Sequence, residues 1–284
     1  MSEDLSSLLN EWPYDPDNTV RTIPAEDGRL VMQVRLPLGI EQYELEGRPD
    51  GQRPLGHESV VDALEERLSR YVEEHGTDEG FEIDHEDAVL LQNEGVLFYY
   101  RYLLLFQIND FERTTRDTEH NLRLCRLLER YCPNADDRNA VLQFKPYILR
   151  MNAMSRAMTS LKKQMKEVAE HILESAIEEI EGLEDIDSPA FRFEKVRSTN
   201  YLKSTIEQLS EAQVGEGGEA ARNALLTGAE QEDEEEPAGD EAEDAREEPQ
   251  DEVSMLQREL EQAVEEEDYE RAAAIRDRMR ELGS

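Results

Sequence analysis

Positive charge is scarce in this sequence. Its 284 residues hold 31 Lys and Arg against 68 Asp and Glu, a formal net charge of −37. Such a surface repels a phosphate backbone, so direct nucleic-acid binding is not expected. An anionic membrane surface is disfavoured for the same reason. The excess is not confined to one tail. Gly215 to Glu252 contains 16 acids and 2 bases, a net of −14, which leaves −23 for the rest of the chain. Lysine is scarcer than arginine, and an acid-rich, lysine-poor surface suits high ionic strength, where self-repulsion is screened. A GC-rich genome explains the arginine bias equally well.

Cysteine is nearly absent. Cys125 and Cys132 are too few for a disulfide framework. They sit at a spacing that helical geometry brings towards one face, and the expectation is two reduced thiols with Cys125 partly buried. Long apolar runs are missing too. The most apolar stretch, Val96 to Phe106, carries Arg101 and is too short to span a bilayer. Met1 to Trp12 has neither a basic n-region nor an apolar h-region. These features together predict a soluble cytoplasmic protein without membrane contact.

Motifs for catalysis are also lacking. There is no phosphate-binding Gly-x-x-x-x-Gly-Lys-Ser/Thr loop, no Gly-x-Gly-x-x-Gly and no Gly-x-Ser-x-Gly. The cysteines and histidines do not fall at zinc-ligand spacing. No cofactor, metal or catalytic residue is therefore assigned. Three polar groupings have both a bland and a functional reading. Asp84-His85-Glu86-Asp87 reads first as a solvated helix start and second as a divalent-ion ligand set. Arg116, Glu119 and His120, with Tyr99, Tyr100, Arg101 and Tyr102 on the preceding helix, read as ion pairs between packed helices or as the lining of a groove. Arg48 and Arg53, in a loop rich in Gly and Pro, read as ordinary turn chemistry or as an anion site.

What is present is helix, preceded by a little sheet. Leu30, Met32, Val34, Leu36 and Leu38 alternate with Arg29, Val31, Gln33, Arg35 and Pro37, the period of a half-buried strand. Glu26-Asp27-Gly28 signals a turn that pairs it with Val20–Pro24, and Ile40 to Leu45 reads as a third strand. Gly39 is expected to break the alternation. Gly47 to Pro54 reads as loop. Helices follow over about Ser59–His75, Glu86–Ile108, Phe111–Tyr131, Asp137–Leu161, Lys163–Gly182 and Ala190–Leu209. The second is apolar nearly all round and is expected to be a central buried helix. Pro146 is expected to kink the fourth.

The fold class expected is mainly α (α+β): a small N-terminal antiparallel β-hairpin or meander, then a bundle of antiparallel helical hairpins. Pairs of about 35–45 residues resemble helical-repeat arrays. The turn Asn109-Asp110-Phe111-Glu112 resembles the turn of tetratricopeptide units, with Asp opening the second helix and the aromatic packed between the two. The domain reading is 1–210 for this α+β domain, with strands about 20–46 and helices about 59–209. Residues 211–251 read as an acidic disordered linker, since Glu, Asp, Gly, Ala and Pro cannot bury enough apolar area to offset backbone entropy. Residues 252–284 read as a helical hairpin.

That last segment carries the functional signal. Val253, Leu256, Leu260 and Ala263 step by three, four and three, a coiled-coil seam. Asp268 can cap a second helix, along which Ala272, Ile275, Met279 and Leu282 repeat the same steps. So short a connection folds the helices back antiparallel. Chains below about 40 residues rarely hold a core alone, so the seam is expected to be completed by a second hairpin.

Leu260, Ala263, Asp268-Tyr269-Glu270, Ala272-Ala273, Ile275-Arg276-Asp277 and Leu282 resemble the UVR domain, with Tyr269 where that family often has Phe. The domain is known from UvrB and UvrC of bacterial nucleotide excision repair, where it mediates their contact, and from regulators of protein-arginine kinase and Clp-type chaperone systems. The resemblance implies docking. The docking residues expected are Val253, Leu256, Leu260, Ala263, Val264, Tyr269, Ala272, Ala273, Ile275, Arg276, Met279 and Leu282. The partner implied is a UVR-containing protein or a second copy of this chain. Trp12-Pro13-Tyr14, Gly47-Arg48-Pro49-Asp50-Gly51 and Arg116-Asp117-Thr118-Glu119-His120-Asn121-Leu122 further resemble an uncharacterised bacterial family whose members end in a UVR motif. The expected function is a non-enzymatic protein–protein adaptor, linked to excision repair or to proteostasis of the Clp and protein-arginine-kinase type. The rival is a ligand-binding protein or enzyme with its site in the helical domain. Mimicry of nucleic acid by the acidic surface is a third reading.

Overall fold

Three short strands lead into a run of helices in the computed structural model, which describes residues 5–211. The expected acidic linker and the C-terminal hairpin lie outside the described residues.

The chain opens with a short helix, α1 (Ser6–Glu11), and then forms β1 (Val20–Pro24), β2 (Leu30–Leu36) and β3 (Gly39–Glu44). They make one antiparallel meander in that order. Pro24 pairs with Leu30 across the Glu26-Asp27-Gly28 turn, as the sequence predicts. Leu36 pairs with Gly39, so Pro37 and Leu38 form the second turn and Gly39 begins a strand.

The period-two pattern misassigns β2 in part. Leu30, Leu36 and Leu38 are exposed, Leu38 at 92 %, whereas Val31 and Arg35 are buried. The reason is coverage. Met32 packs with Leu45 and Leu105 beneath the centre of the sheet, whereas Leu30 and Leu36 stand at the two ends of β2. The opposite face is closed by the N-terminal segment: the Arg21 guanidinium stacks 3.9 Å over Trp12, and Arg35 Nε donates to the Trp12 carbonyl at 2.7 Å. Alternation assumes one wet face, and here both faces are covered at the middle of the strand.

The helices are α2 (Val60–His75), α3 (His85–Gln107), α4 (Phe111–Tyr131), α5 (Ala135–Leu142), α6 (Lys145–Lys162), α7 (Lys166–Glu181) and α8 (Pro189–Glu211). Their starts follow side-chain capping, which satisfies amides left free in the first turn. Ser59 accepts from the Asp62 amide, Asp84 from Asp87, and Asp110 from Arg113. The α3–α4 turn has the expected tetratricopeptide-like detail. Asp110 caps α4, and Phe111 is buried with its ring 5.3 Å from Phe106.

Two boundaries differ from the sequence reading. The helix expected over Asp137–Leu161 is two helices, α5 and α6, with Pro146 in the first turn of α6. Proline lacks an amide hydrogen and restricts the residue before it, so it fits a helix start better than an interior. The second difference is the start of α7, at Lys166 in place of Lys163. Gln164 has φ +60° there, and the Met165 amide bonds back to the Ser160 carbonyl at 3.0 Å. Asn109 does the same after α3, with φ +62° and the Asp110 amide bonded to Leu105 at 2.8 Å. Both are Schellman endings, a role usually marked by glycine.

The central helix is α6, not α3. Twelve of its 18 residues are buried, against 9 of 23 in α3. It packs on α4, α7 and α8. Its Ala153, Ser155, Ala157 and Ser160 are small enough to let three neighbours approach, and Met151, Met154 and Met158 fill the gaps left. A second apolar cluster joins α2, α5 and the facing halves of α3 and α4, including Val61, Leu64, Leu91 and Leu128. Cys125 and Cys132 are both free and both buried, and burial pushes the Cys125 thiol up to about 12.

Candidate functional site

The polar residues singled out on α3 and α4 converge, but they converge inward. Arg101 and Asp117 are both fully buried. Arg101 meets the Asp117 carboxylate with two bonds, Nε to Oδ2 at 2.6 Å and Nη2 to Oδ1 at 2.8 Å. Its remaining nitrogen donates to the carbonyls of Glu44 and Gly47, each at 2.8 Å. Arg116 reinforces the same contact, donating to the Leu45 carbonyl at 2.7 Å, to Glu46 at 2.6 Å and to Asp117 at 3.0 Å. A planar five-donor fork fits this task, because it can pair a carboxylate and hold backbone oxygens at once. The sheet exit, Glu44 to Gly47, is thereby fastened to α3 and α4.

Two turns earlier on α3 lies Glu94, with a fully buried side chain. It accepts from the amides of Val60 and Val61 at 2.7 and 3.1 Å, from Arg48 at 3.0 Å and from His120 Nε2 at 3.0 Å. It therefore closes the N-terminus of α2 from outside that helix, where a negative charge is favoured. Burial raises its carboxyl pKa, but the bonds from His120 and from the Val60 and Val61 amides outweigh this and hold it below the ordinary glutamate value. The His120 ring stacks on Phe98 at 3.7 Å, and Arg101 lies 4.8 Å from the same ring.

This arrangement holds together Arg101, Arg116 and His120, as the sequence suggests, but Glu119 points to solvent. Tyr102 is buried in a ring cluster with Tyr99, and Tyr100 is half exposed. The ion-pair reading of these residues holds, since their charges are spent on neighbours. Arg48 is likewise taken by Asp50 and Glu94, and Arg53 pairs with Glu58. The carboxylates of the Asp84–Asp87 stretch are divided: Asp84 caps α3, Asp87 pairs with Arg67, and His85 bonds Asp137. Among the described residues, no group of three or more His, Cys, Asp or Glu is placed to hold a metal ion. The sequence reading passed over Glu94. Its signal was there: a lone acid in an apolar helix must find partners if it is buried.

A surface cleft of about 410 Å³ runs between the two Schellman turns, bounded by Asn109, Phe111, Thr159 and Lys163. Lys162 spans part of it, its ammonium 4.3 Å from the Phe111 ring and donating to the Asn109 carbonyl at 2.8 Å. No helix among the described residues is long and apolar enough to cross a membrane.

The domain of residues 5–211 thus shows a polar interior used for its own assembly, and the functional signal lies further on. Residues 250–284 match the family model of the UvrB/uvrC motif, UVR. The C-terminal segment is a UVR motif. A UVR motif is an interaction module and not a catalytic one. Its residues include every expected docking position from Val253 to Leu282, all outside the described residues. Compared with curated proteins and with solved structures, the chain shows no match.

Proposed function

We propose that this protein is a non-enzymatic adaptor that docks other proteins through its UVR motif. The observation that carries the proposal is the UVR match at residues 250–284. Two seams of three–four–three spacing support it, because each needs apolar surface from a second hairpin to be covered. The partner proposed is a UVR-containing protein or a second copy of this motif, with Leu256, Leu260, Tyr269, Ile275 and Met279 shared across the contact. The acidic stretch 211–251 serves as a tether, keeping whatever the motif binds at high effective concentration near the N-terminal domain. A net charge of −37 favours protein over nucleic acid as the thing touched, and any role in excision repair would then be indirect. Regulation of a Clp or protein-arginine-kinase system is the alternative setting for the same contact.

Affinity capture with the full chain, and with the full chain carrying Leu260→Asp and Ile275→Asp, tests this. A UVR-containing partner, or a tagged second copy, should be retained by the first and lost from the second. Equal retention by both would sink the proposal.

A further inference from the structure

Acid is missing from one part of this acidic chain. Arg138 to Lys166 holds seven basic residues and no acidic one, where the chain as a whole has 68 acids. The second half of that stretch supplies one wall of the cleft between the two Schellman turns, with Thr159, Lys162 and Lys163. Arg156 and Lys163 are exposed, and no carboxylate pairs with either among the described residues. Lys162 donates to a carbonyl and not to an acid. On the opposite wall Asp110 is held by Arg113, which leaves Glu112, with Glu167 at the start of α7, as the carboxylates near these cations. The same place exposes apolar surface. Ile108, which lines the cleft, is 36 % exposed, and Met165 and Val168, directly after Lys163, are exposed at 42 % and 46 %. Cations beside uncovered apolar side chains suit a segment that carries both acids and leucines.

We propose that residues 212–230 of this same chain dock here, with Glu216, Glu219 and Glu230 against Arg156, Lys162 and Lys163, and with Leu225 and Leu226 over Ile108 and Met165. Where the chain leaves the domain supports this occupant. α8 ends at Glu211, and Lys166 donates to the Leu209 carbonyl, so α8 delivers the chain within a helical turn of Lys163. From Glu211 to Leu225 is 14 residues. A stretch of that length can span up to roughly 45 Å, so the cleft is within reach. Composition separates this segment from the one after it. Residues 212–230 combine their acids with Val214, Leu225 and Leu226, whereas 231–251 hold no apolar side chain larger than alanine or proline. The later stretch has charge for the lysines but nothing to cover Ile108 or Met165. A second copy is disfavoured as the source, because two chains of net charge −37 repel, while a tethered segment is already at high local concentration. The contact takes residues 212–230 out of the tether and leaves 231–251 to act as one. It does not rest on what the UVR motif binds.

Limited digestion of the full chain with trypsin tests the contact. Arg222 lies inside the docked segment and Arg246 beyond it, so cleavage after Arg246 serves as the internal reference. In a chain carrying Lys162→Glu and Lys163→Glu, cleavage after Arg222 should be faster by about tenfold, since protease reads the population of the undocked form. Cleavage after Arg246 and the circular-dichroism spectrum should not change. A chain carrying Leu225→Ser and Leu226→Ser should show the same acceleration. Either variant cutting after Arg222 at the parent's rate overturns the proposal. If the two glutamates disturb the fold, the serine variant decides, because it leaves residues 5–211 untouched. Protection of Arg222 in the parent should be independent of protein concentration. Protection that fades on dilution assigns the segment to a second copy and also overturns the proposal. All these chains keep the UVR motif intact, so failure of the adaptor function and failure of this contact are read separately.

Discussion

Arg101 and Asp117 form a fully buried ion pair in the described domain. The pair has no access to solvent, so Arg101 depends on Asp117 and on the Glu44 and Gly47 carbonyls, and Asp117 on Arg101 and Arg116. Removing one member leaves a buried charge uncompensated, which typically costs about 3–5 kcal/mol. Asp117→Asn keeps the shape and deletes the charge. Its unfolding free energy should fall by an amount in that range, read from a lowered urea midpoint with an unchanged m-value, and a value within about 0.5 kcal/mol of the parent would show that the pair is not needed. The sequence offers Arg101 as a member of ion pairs between packed helices, but shows neither its burial nor its partners. Backbone oxygens at the end of β3 carry no side-chain signature in sequence.

At the level of elements, α3 and α4 approach closely at one place. Asn121 Nδ2 donates to the Gly95 carbonyl at 3.0 Å, and a methyl on Gly95 would sit 3.4 Å from a Leu124 methyl. Alanine therefore fits in ordinary contact and should raise stability by up to about 1 kcal/mol through helix propensity. Valine adds branches with nowhere to go and should lower stability by about 1–3 kcal/mol as the helices are forced apart. Thermal unfolding of Gly95→Ala and Gly95→Val measures both, and the reverse order would mean that the helices do not meet there. Element existence was legible from apolar spacing and capping residues, as at Asp84 and Asp110. Element ends were less so. Gln164 holds a left-handed turn that glycine usually announces, and α7 consequently starts three residues later than its periodicity implies.

Across the whole molecule, the excess of acid sets the response to solvent. Self-repulsion at −37 opposes the compact state, and most ion pairs of the described domain have at least one partly exposed partner, which gains little from pairing. Screening should therefore relieve more repulsion than it costs in attraction. The melting temperature of the full chain should rise between ~0.1 M and ~1 M NaCl. A fall would mean that exposed pairs such as Arg123 with Asp62 and Glu65 outweigh the repulsion.

The sequence by itself determined the three strands and most of the helices after them, the mainly helical class and the UVR motif. Each rests on local regularities: period two, period three to four, capping residues, and a motif of contiguous positions. The tertiary structure alone decided which helix lies at the centre, which polar residues close the interior, and which apolar face is left outward. Those depend on what covers a surface, and coverage comes from segments far apart in the chain. α3 has the composition of a central helix, yet α6, with its small residues packed on α4, α7 and α8, buries the larger share of its length. Hydrophobicity says that a face should be buried. Only packing says against what, and α3 keeps Val89, Val96 and Tyr100 outward although its composition is that of a buried helix.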